Sequence, residues 1–190
     1  MGAWERLIGE VEINSTDDCW VGIDMALKHD SIAVVIAQPQ GERIAVKAKI
    51  WHPDQGDMDI ASVEEYLQEI HRTLQVKEFA YDPAYFQRSA ENLFDDGLPM
   101  VEFPQSSQRM IPACGTAYDL IASGKVLHDG SPMFIDQVLS AAQRMTDNGW
   151  RLSKGKSRRK IDAAIAMCIA LERATRRATS TPAPKVELVW

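Results

Sequence analysis

Apolar residues follow two patterns along this chain, first short runs and then a recurrence at every third or fourth position. Short runs rich in apolar residues predict β-strands over residues 20–26, 31–37 and 43–50, and the Gln-Pro-Gln-Gly sequence at 38–41 predicts a turn between the last two. Helical spacing follows at residues 62–74. The first part of the chain is therefore expected to be an antiparallel meander of three strands followed by a helix.

Beyond this helix, short apolar runs that predict strands alternate with longer amphipathic stretches that predict helices. A meander, a helix and then alternating strands and helices is the element order of an RNase H-like fold. The sequence thus predicts an α/β protein with an RNase H-like, mixed five-stranded sheet flanked by helices. The remaining predicted elements are strands at 78–82 and 100–103, helices at 85–95, 107–123, 131–145 and 160–177, and an exposed loop at 148–159.

Length and composition indicate one globular domain. The chain has 190 residues, of which 45% are hydrophobic and 25% charged, enough for a single buried core. We assign this domain to residues 18–177, interpret residues 1–17 as a linker or the remnant of an upstream domain, and expect residues 178–190 to be a flexible tail. No apolar stretch approaches the roughly 18 residues that span a bilayer, so the sequence predicts a cytoplasmic protein without a membrane partner.

The distribution of charge is more informative than its total. A formal charge of −6 argues against binding a polyanion, since affinity for nucleic acid depends largely on Lys and Arg. Residues 144–177 nevertheless carry ten basic and three acidic side chains, a net of +7, which leaves −13 for the rest of the chain. One end of the protein is therefore expected to present a basic surface.

Two aspartates stand at unusual positions in predicted strands. Asp24 shares its face of the first strand with Gly22 and Ala26, and such small neighbours leave space for a hydrated ion and a phosphate. Asp82 ends the fourth strand, where open α/β sheets place their chemistry, and Ala80 lies on its face. Each has an ordinary alternative: an edge-strand carboxylate facing water for Asp24, and an Asp-Pro turn or helix start for Asp82.

Asp162 opens a predicted helix that is otherwise apolar around its whole circumference. Such a helix is buried, and a buried carboxylate has to be neutral, paired or bound to a cation. The many alanines of residues 161–171 allow this helix to lie close to a sheet and bring Asp162 towards the central strand. The alternative is a structural aspartate that interacts with the helix dipole and pairs with Arg159 or Lys160.

Carboxylates that converge on one point repel each other, and hard divalent cations with oxygen ligands are the usual resolution. Asp24, Asp82 and Asp162 are therefore predicted to be catalytic residues that hold two Mg²⁺ or Mn²⁺ ions. Two such ions about 3.5–4 Å apart can activate the attacking water and stabilise the leaving oxygen of a phosphodiester. This chemistry requires neither cysteine nor histidine.

Four short blocks occur in order along the chain: residues 22–26 (GIDMA), 80–83 (AYDP), 124–132 (GKVLHDGSP) and 154–167 (KGKSRRKIDAAIAM). Together they resemble the nuclease half of tailed-phage terminase large subunits, and the resemblance spans about residues 20–175. It implies a two-metal endonuclease of the RNase H-like superfamily. Such an enzyme would cut concatemeric viral DNA during genome packaging, with little sequence preference.

The resemblance also implies partners that the residues alone do not reveal. These are double-stranded DNA, an upstream ATPase motor domain, the portal and the small terminase subunit, in the cytoplasm of the host of a phage. The chain contains no Gly-x-x-x-x-Gly-Lys-Ser/Thr phosphate loop, the motif that would indicate the motor. We therefore expect either an excised domain, which the linker-like first residues favour, or a stand-alone relative.

A basic loop just before the apolar helix is predicted to contact DNA phosphates, because substrate must pass there. The alternative is a solvated charged loop. The predicted DNA-binding residues are Lys154, Lys156, Ser157, Arg158, Arg159 and Lys160. Further candidates are Asp30, Asp119 and Asp136 for a fourth carboxylate, and His29 and His128 for an acid or base.

Three other functions stay open at the level of sequence. Another RNase H-like nuclease, such as a Holliday-junction resolvase or a transposase core, would share the aspartates and differ in the parts that hold DNA. A sugar-kinase-like enzyme would need further Gly-rich phosphate loops and a second large domain, and neither is present. A non-catalytic assembly or DNA-binding module would show no nuclease activity with Mn²⁺.

Overall fold

The computed structural model describes residues 2–25, 31–52, 59–157 and 159–179, which contain a mixed sheet, a separate two-stranded hairpin and five α-helices. The strands are β1 (Asp18–Met25), β2 (Ile32–Gln40), β3 (Arg43–Trp51), β4 (Gln75–Tyr81), β5 (Met100–Glu102), β6 (Val126–His128), β7 (Gln143–Thr146) and β8 (Gly149–Leu152). The helices are α1 (Ile60–Thr73), α2 (Pro83–Asp95), α3 (Ser107–Ala122), α4 (Pro132–Leu139) and α5 (Asp162–Thr179).

The main sheet has six strands in the order β5-β4-β1-β2-β3-β6. β1, β2 and β3 pair antiparallel, as the meander predicted, while β4 runs parallel to β1, β5 parallel to β4, and β6 parallel to β3. The predicted α/β class with a mixed sheet is confirmed, with one strand more than predicted. The additional strand, β6, has only three residues, too few for an alternating pattern to show.

The sequence prediction was wrong between residues 131 and 159. The helix predicted over 131–145 ends at Leu139, and an antiparallel hairpin follows. Its first strand, β7, begins within the predicted helix, and its second strand, β8, lies where an exposed loop was predicted. Trp150 of β8 packs edge-on against Tyr118 of α3, with ring centroids 5.9 Å apart. Cross-strand pairing and this contact stabilise a hairpin whose four-residue strands carry little periodicity of their own.

Helices cover both faces of the sheet, and each face has its own apolar cluster. Val21 and Ile23 of β1 belong to the cluster under α1 and α2, whereas Trp20, one step out of phase, belongs to the cluster under α3, α4 and α5. Side chains alternate between faces along a strand. The face that carries Asp24 is therefore the face covered by α5.

Gly22 allows α5 to lie directly against β1. A Cβ atom at this position would be 2.1 Å from the carbonyl oxygen of Ala166 and 2.8 Å from the backbone nitrogen of Ala170. The sequence prediction that Gly22 leaves space for a hydrated ion was wrong, because helix backbone fills that space. Ala26, the other small neighbour, lies outside the described residues.

We expect Gly22→Ala to lower the free energy of unfolding by about 3 kcal/mol or more, since overpacking a close contact costs about 1–3 kcal/mol and here the obstacle is backbone. Gly115→Ala is the matched control: it also adds one methyl group, but nothing lies within 4 Å of the new Cβ. Because Gly115 lies inside α3, alanine there is expected to stabilise by about 0.5–1 kcal/mol. Chemical denaturation measures the free energy of unfolding of both variants. Equal values for the two would contradict the close approach of α5 to β1.

The first residues pack on the domain. Trp4 is buried and stacks on the imidazole of His128, with ring centroids 3.9 Å apart, and the Gly9 N–H donates to the His128 carbonyl at 2.9 Å. The interpretation of residues 1–17 as a linker or the remnant of an upstream domain stays a prediction. So does the flexible tail at 178–190, of which residues 180–190 lie outside the described part. No helix in the described residues is both long and apolar enough to cross a membrane.

Candidate metal centre

Two of the three predicted catalytic aspartates meet between β1 and α5. Asp24 and Asp162 are 0% and 1% exposed, and the ammonium group of Lys154 lies between them. Its Nζ atom is 2.8 Å from Asp24 Oδ2 and 2.7 Å from Asp162 Oδ1. One buried position is thus surrounded by carboxylate oxygens and already occupied by a positive charge.

The outer oxygens of both carboxylates accept hydrogen bonds from neutral side chains. Gln105 Nε2 donates to Asp24 Oδ1 and Ser31 Oγ donates to Asp162 Oδ2, each at 2.6 Å. Each carboxylate therefore turns its second oxygen towards the shared cation. Sequence reasoning missed both donors, because they lie 81 and 131 residues from their acceptors and no local spacing links them.

Burial dominates the electrostatics of Asp24. It raises the pKa of the Asp24 carboxyl to about 7, although the Lys154 ammonium lowers that pKa. Burial lowers the pKa of Lys154, but the charges of Asp24 and Asp162 outweigh it, so the pKa of Lys154 lies above its ordinary value. The lysine accordingly stays charged and offsets part of the cost of burying the ionised Asp24 carboxylate.

Asp82 lies at the next strand end but contacts a different group. Tyr81 pairs with Ile23 in parallel register, so Asp82 follows β4 where Asp24 stands in β1. The Asp82 carboxylate caps α2 by accepting a hydrogen bond from the Ala84 N–H at 3.1 Å. Within the described residues, no group of three His, Cys, Asp or Glu side chains could hold a metal ion. A role for Asp82 as a metal ligand stays a prediction.

The other candidates for acid or base chemistry are spread over the molecule. Asp119 and Asp136 are exposed, and Asp136 pairs with Arg159. Burial lowers the pKa of His128, whose Nε2 lies 3.0 Å from the carbonyl oxygen of Trp4. His128 therefore supports the docked N-terminal segment. His29 and Asp30 lie outside the described residues.

The predicted DNA-binding residues occupy several environments around the centre. Lys154 contacts the two carboxylates, and Ser157 Oγ accepts a hydrogen bond from the Ala142 N–H at 3.0 Å, which ties the basic loop to the segment before β7. Lys156 is exposed and Lys160 half-buried, while Arg158 lies outside the described residues. Contact of these residues with DNA stays a prediction.

A carboxylate pair of this kind, on a mixed sheet, fits a known family. The family model described as "Terminase large subunit, endonuclease domain" matches residues 50–178. The chain belongs to this family. The match to the terminase nuclease model includes Asp82, Lys154 and Asp162, whereas Asp24 precedes it.

Individual terminases match a larger share of the chain than the family model does. The large terminase subunit of Enterobacteria phage HK97 is 25% identical over 88% of this chain and 39% of its own length, so this chain spans about two fifths of that relative. The crystal structure of the HK97 large terminase superposes with a TM-score of 0.81 at 24% identity, covering 90% of this chain and 42% of that one. The large terminase nuclease of thermophilic phage G20c with bound magnesium gives a TM-score of 0.66 at 14% identity, with 90% and 95% covered. The predicted RNase H-like terminase-nuclease fold is thereby confirmed.

Proposed function

We propose that this terminase nuclease domain hydrolyses phosphodiester bonds of double-stranded DNA with two Mg²⁺ or Mn²⁺ ions and cuts concatemeric viral DNA during genome packaging. The observation that carries the proposal is the buried pair Asp24 and Asp162, which share one cation position. Two carboxylates removed from water require a counter-charge, and Mg²⁺ and Mn²⁺ prefer oxygen ligands. The likeness to a G20c nuclease with bound magnesium supports the same choice of ion.

Some residues of the centre would bind the metal, and others orient the residues that bind it. Asp24 and Asp162 would hold the metal, and Asp82, at the neighbouring strand end, would complete the set. Divalent ions bound there would supply an activated water and stabilise the leaving oxygen. Gln105 and Ser31 hold the outer carboxylate oxygens in place, so that the inner oxygens face the cation. The two carboxylates would thus keep their orientation, while the Lys154 ammonium would have to leave the position that the ion takes.

A nuclease assay tests this function directly. Supercoiled plasmid is expected to be nicked or linearised by the full chain with Mg²⁺ or Mn²⁺ and to stay intact in EDTA. Linear duplexes of unrelated sequence should be cut at similar rates, as expected for the low sequence preference. Intact plasmid at all Mg²⁺ and Mn²⁺ concentrations would favour a non-catalytic assembly or DNA-binding module.

The remaining proposed roles concern partners. We include in the proposal an upstream ATPase motor domain, the portal and the small terminase subunit, because the relative from phage HK97 is a large terminase subunit more than twice as long as the matched region. Basic residues around the centre would bind DNA. Among them, Lys156 and Lys160 lie in the described part of the chain and form no ion pair with Asp24 or Asp162 there. Their contacts would go to phosphates, which carry no sequence information.

Neutralising Lys156 and Lys160 is expected to weaken duplex binding equally for all sequences. The slope of log K against log salt should become shallower by about 0.9 for each lost phosphate contact. Fluorescence anisotropy in EDTA at several salt concentrations measures this slope without cleavage. Lys77→Ala is the control, since Lys77 pairs with Asp18 at the opposite end of β1 from Asp24; an equal change in that variant would contradict a local phosphate contact.

A further inference from the structure

A buried network of hydrogen bonds links α4 to the Asp162 carboxylate. The Ala163 N–H donates to Gln137 Oε1 at 2.7 Å, and Gln137 Nε2 donates to Ser31 Oγ at 3.2 Å. Ser31 Oγ in turn donates to Asp162 Oδ2 at 2.6 Å. Gln137 and Ser31 are 3% and 0% exposed. Because Asp162 and Ala163 are adjacent, the network closes into a ring at the start of α5.

The donors and acceptors in this ring fix its direction. The Gln137 amide oxygen is taken by a backbone N–H, so its nitrogen faces Ser31. A serine hydroxyl rotates freely and can donate or accept. Since Ser31 Oγ accepts from Gln137, its own proton is directed to Asp162. Away from water, reversal of any one bond would leave a polar group unpaired, at a cost of about 1–3 kcal/mol.

The ring has a consequence for the cation position. With Oδ2 held by Ser31, Asp162 presents Oδ1 to the place where Lys154 Nζ now lies, 2.7 Å away. A carboxylate without this restraint could rotate, and hydrogen bonds behind a ligand typically set its orientation and its affinity for a metal. We propose that Ser31 and Gln137 are positioning residues that fix the Asp162 carboxylate for a divalent ion. This inference rests on the proposed metal-dependent function.

The affinity for Mn²⁺ is the first test. We expect Ser31→Ala and Gln137→Met each to weaken Mn²⁺ binding by about 10–100-fold, as loss of such outer partners does at other metal sites. The double variant should lose little more than the worse single variant, because the residues act as one unit. The free Mn²⁺ signal in electron paramagnetic resonance measures the dissociation constant with no DNA present.

Gln38→Met is the matched control. Gln38 is also a fully buried glutamine, and its amide nitrogen donates to the Asn14 and Asp17 carbonyls at 2.8 and 3.1 Å. It lies near the other end of β2 from Ser31. Gln38→Met should lower the melting temperature while leaving the dissociation constant for Mn²⁺ within about twofold, so a general loss of stability is separated from a loss of positioning.

A second readout in EDTA separates this inference from the proposed function. The carboxyl ¹³C resonance of Asp162 should shift in Ser31→Ala and in Gln137→Met, and stay in place in Gln38→Met. If the wild-type protein binds no Mn²⁺, the metal-dependent function is wrong. The ¹³C comparison would then still show whether Ser31 and Gln137 fix the Asp162 carboxylate. Unchanged Mn²⁺ affinity in both folded network variants, or an Asp162 resonance that does not respond to them, would overturn the positioning role.

Discussion

Cleavage of plasmid DNA with Mg²⁺ or Mn²⁺ is expected to fall by at least about 100-fold in Asp24→Asn and in Asp162→Asn. Even groups behind a metal ligand typically contribute 10–100-fold to affinity or activity, and these two carboxylates are the groups that would contact the ion. Asparagine has nearly the same shape and keeps an oxygen for its hydrogen-bond donor, so the effect reports the lost charge. Time courses of nicking for each variant and for wild type give the ratio.

The control for this prediction is an aspartate of the same charge far from the centre. Asp95→Asn removes an exposed carboxylate at the end of α2, a helix whose 13 residues separate it from Asp82. At about 1.5 Å per residue, this distance is roughly 20 Å. The variant should cleave like wild type. Substantial cleavage by Asp24→Asn and Asp162→Asn, with Mn²⁺ still required, would show that the ion binds elsewhere.

Removal of the Lys154 ammonium is expected to have the largest effect on stability without metal. In EDTA above pH 7, Lys154→Met leaves two buried carboxylates facing each other, and breaking a buried ion pair by removing one partner costs about 3–5 kcal/mol. We expect about 2–3 kcal/mol, because Lys154 keeps 36% of its side chain exposed and because burial favours the protonated form of Asp24, which can take up a proton once the ammonium is removed. Urea unfolding with and without Mn²⁺ measures the loss.

Mn²⁺ should reverse this destabilisation. A divalent ion at the shared position replaces the missing charge, so the gain in stability, which follows RT ln(1 + [L]/Kd), should be larger in Lys154→Met than in wild type. Lys156→Met, two residues along the same loop, removes an exposed lysine and should change neither measurement. If Lys154 serves only to contact DNA, then Lys154→Met and Lys156→Met will unfold at the same urea concentration in EDTA.

The elements that could be predicted from sequence are those whose own pattern is long. The first half of α5 is apolar on every side up to Leu171, and β1 to β3 are rich in apolar residues over eight or nine residues each. The hairpin β7–β8 and the three-residue β6 were missed. Their stability comes from partners distant in the chain, such as Tyr118 for Trp150 and β3 for β6, and a local pattern does not record such partners.

The sequence could predict those site residues whose own neighbours in the chain make them unusual. A carboxylate in an apolar helix and another in a buried strand must find a counter-charge, and Asp24 and Asp162 do meet around one. The nature of that charge could not be predicted. Lys154 looked like any other lysine of a basic run, and Gln105 and Ser31 carry no local signal, since only the tertiary fold brings them to the aspartates.

The contact between α5 and β1 at Gly22 also has a mechanical consequence. It joins main chain to main chain, so its length does not depend on side-chain rotamers. Asp24 stands two residues along β1 from this contact, and Asp162 stands four residues along α5 from its Ala166 end. A force that pushes the helix towards the strand therefore meets backbone atoms that cannot repack. The separation of the two carboxylates should change less under compression than distances that depend on side-chain packing.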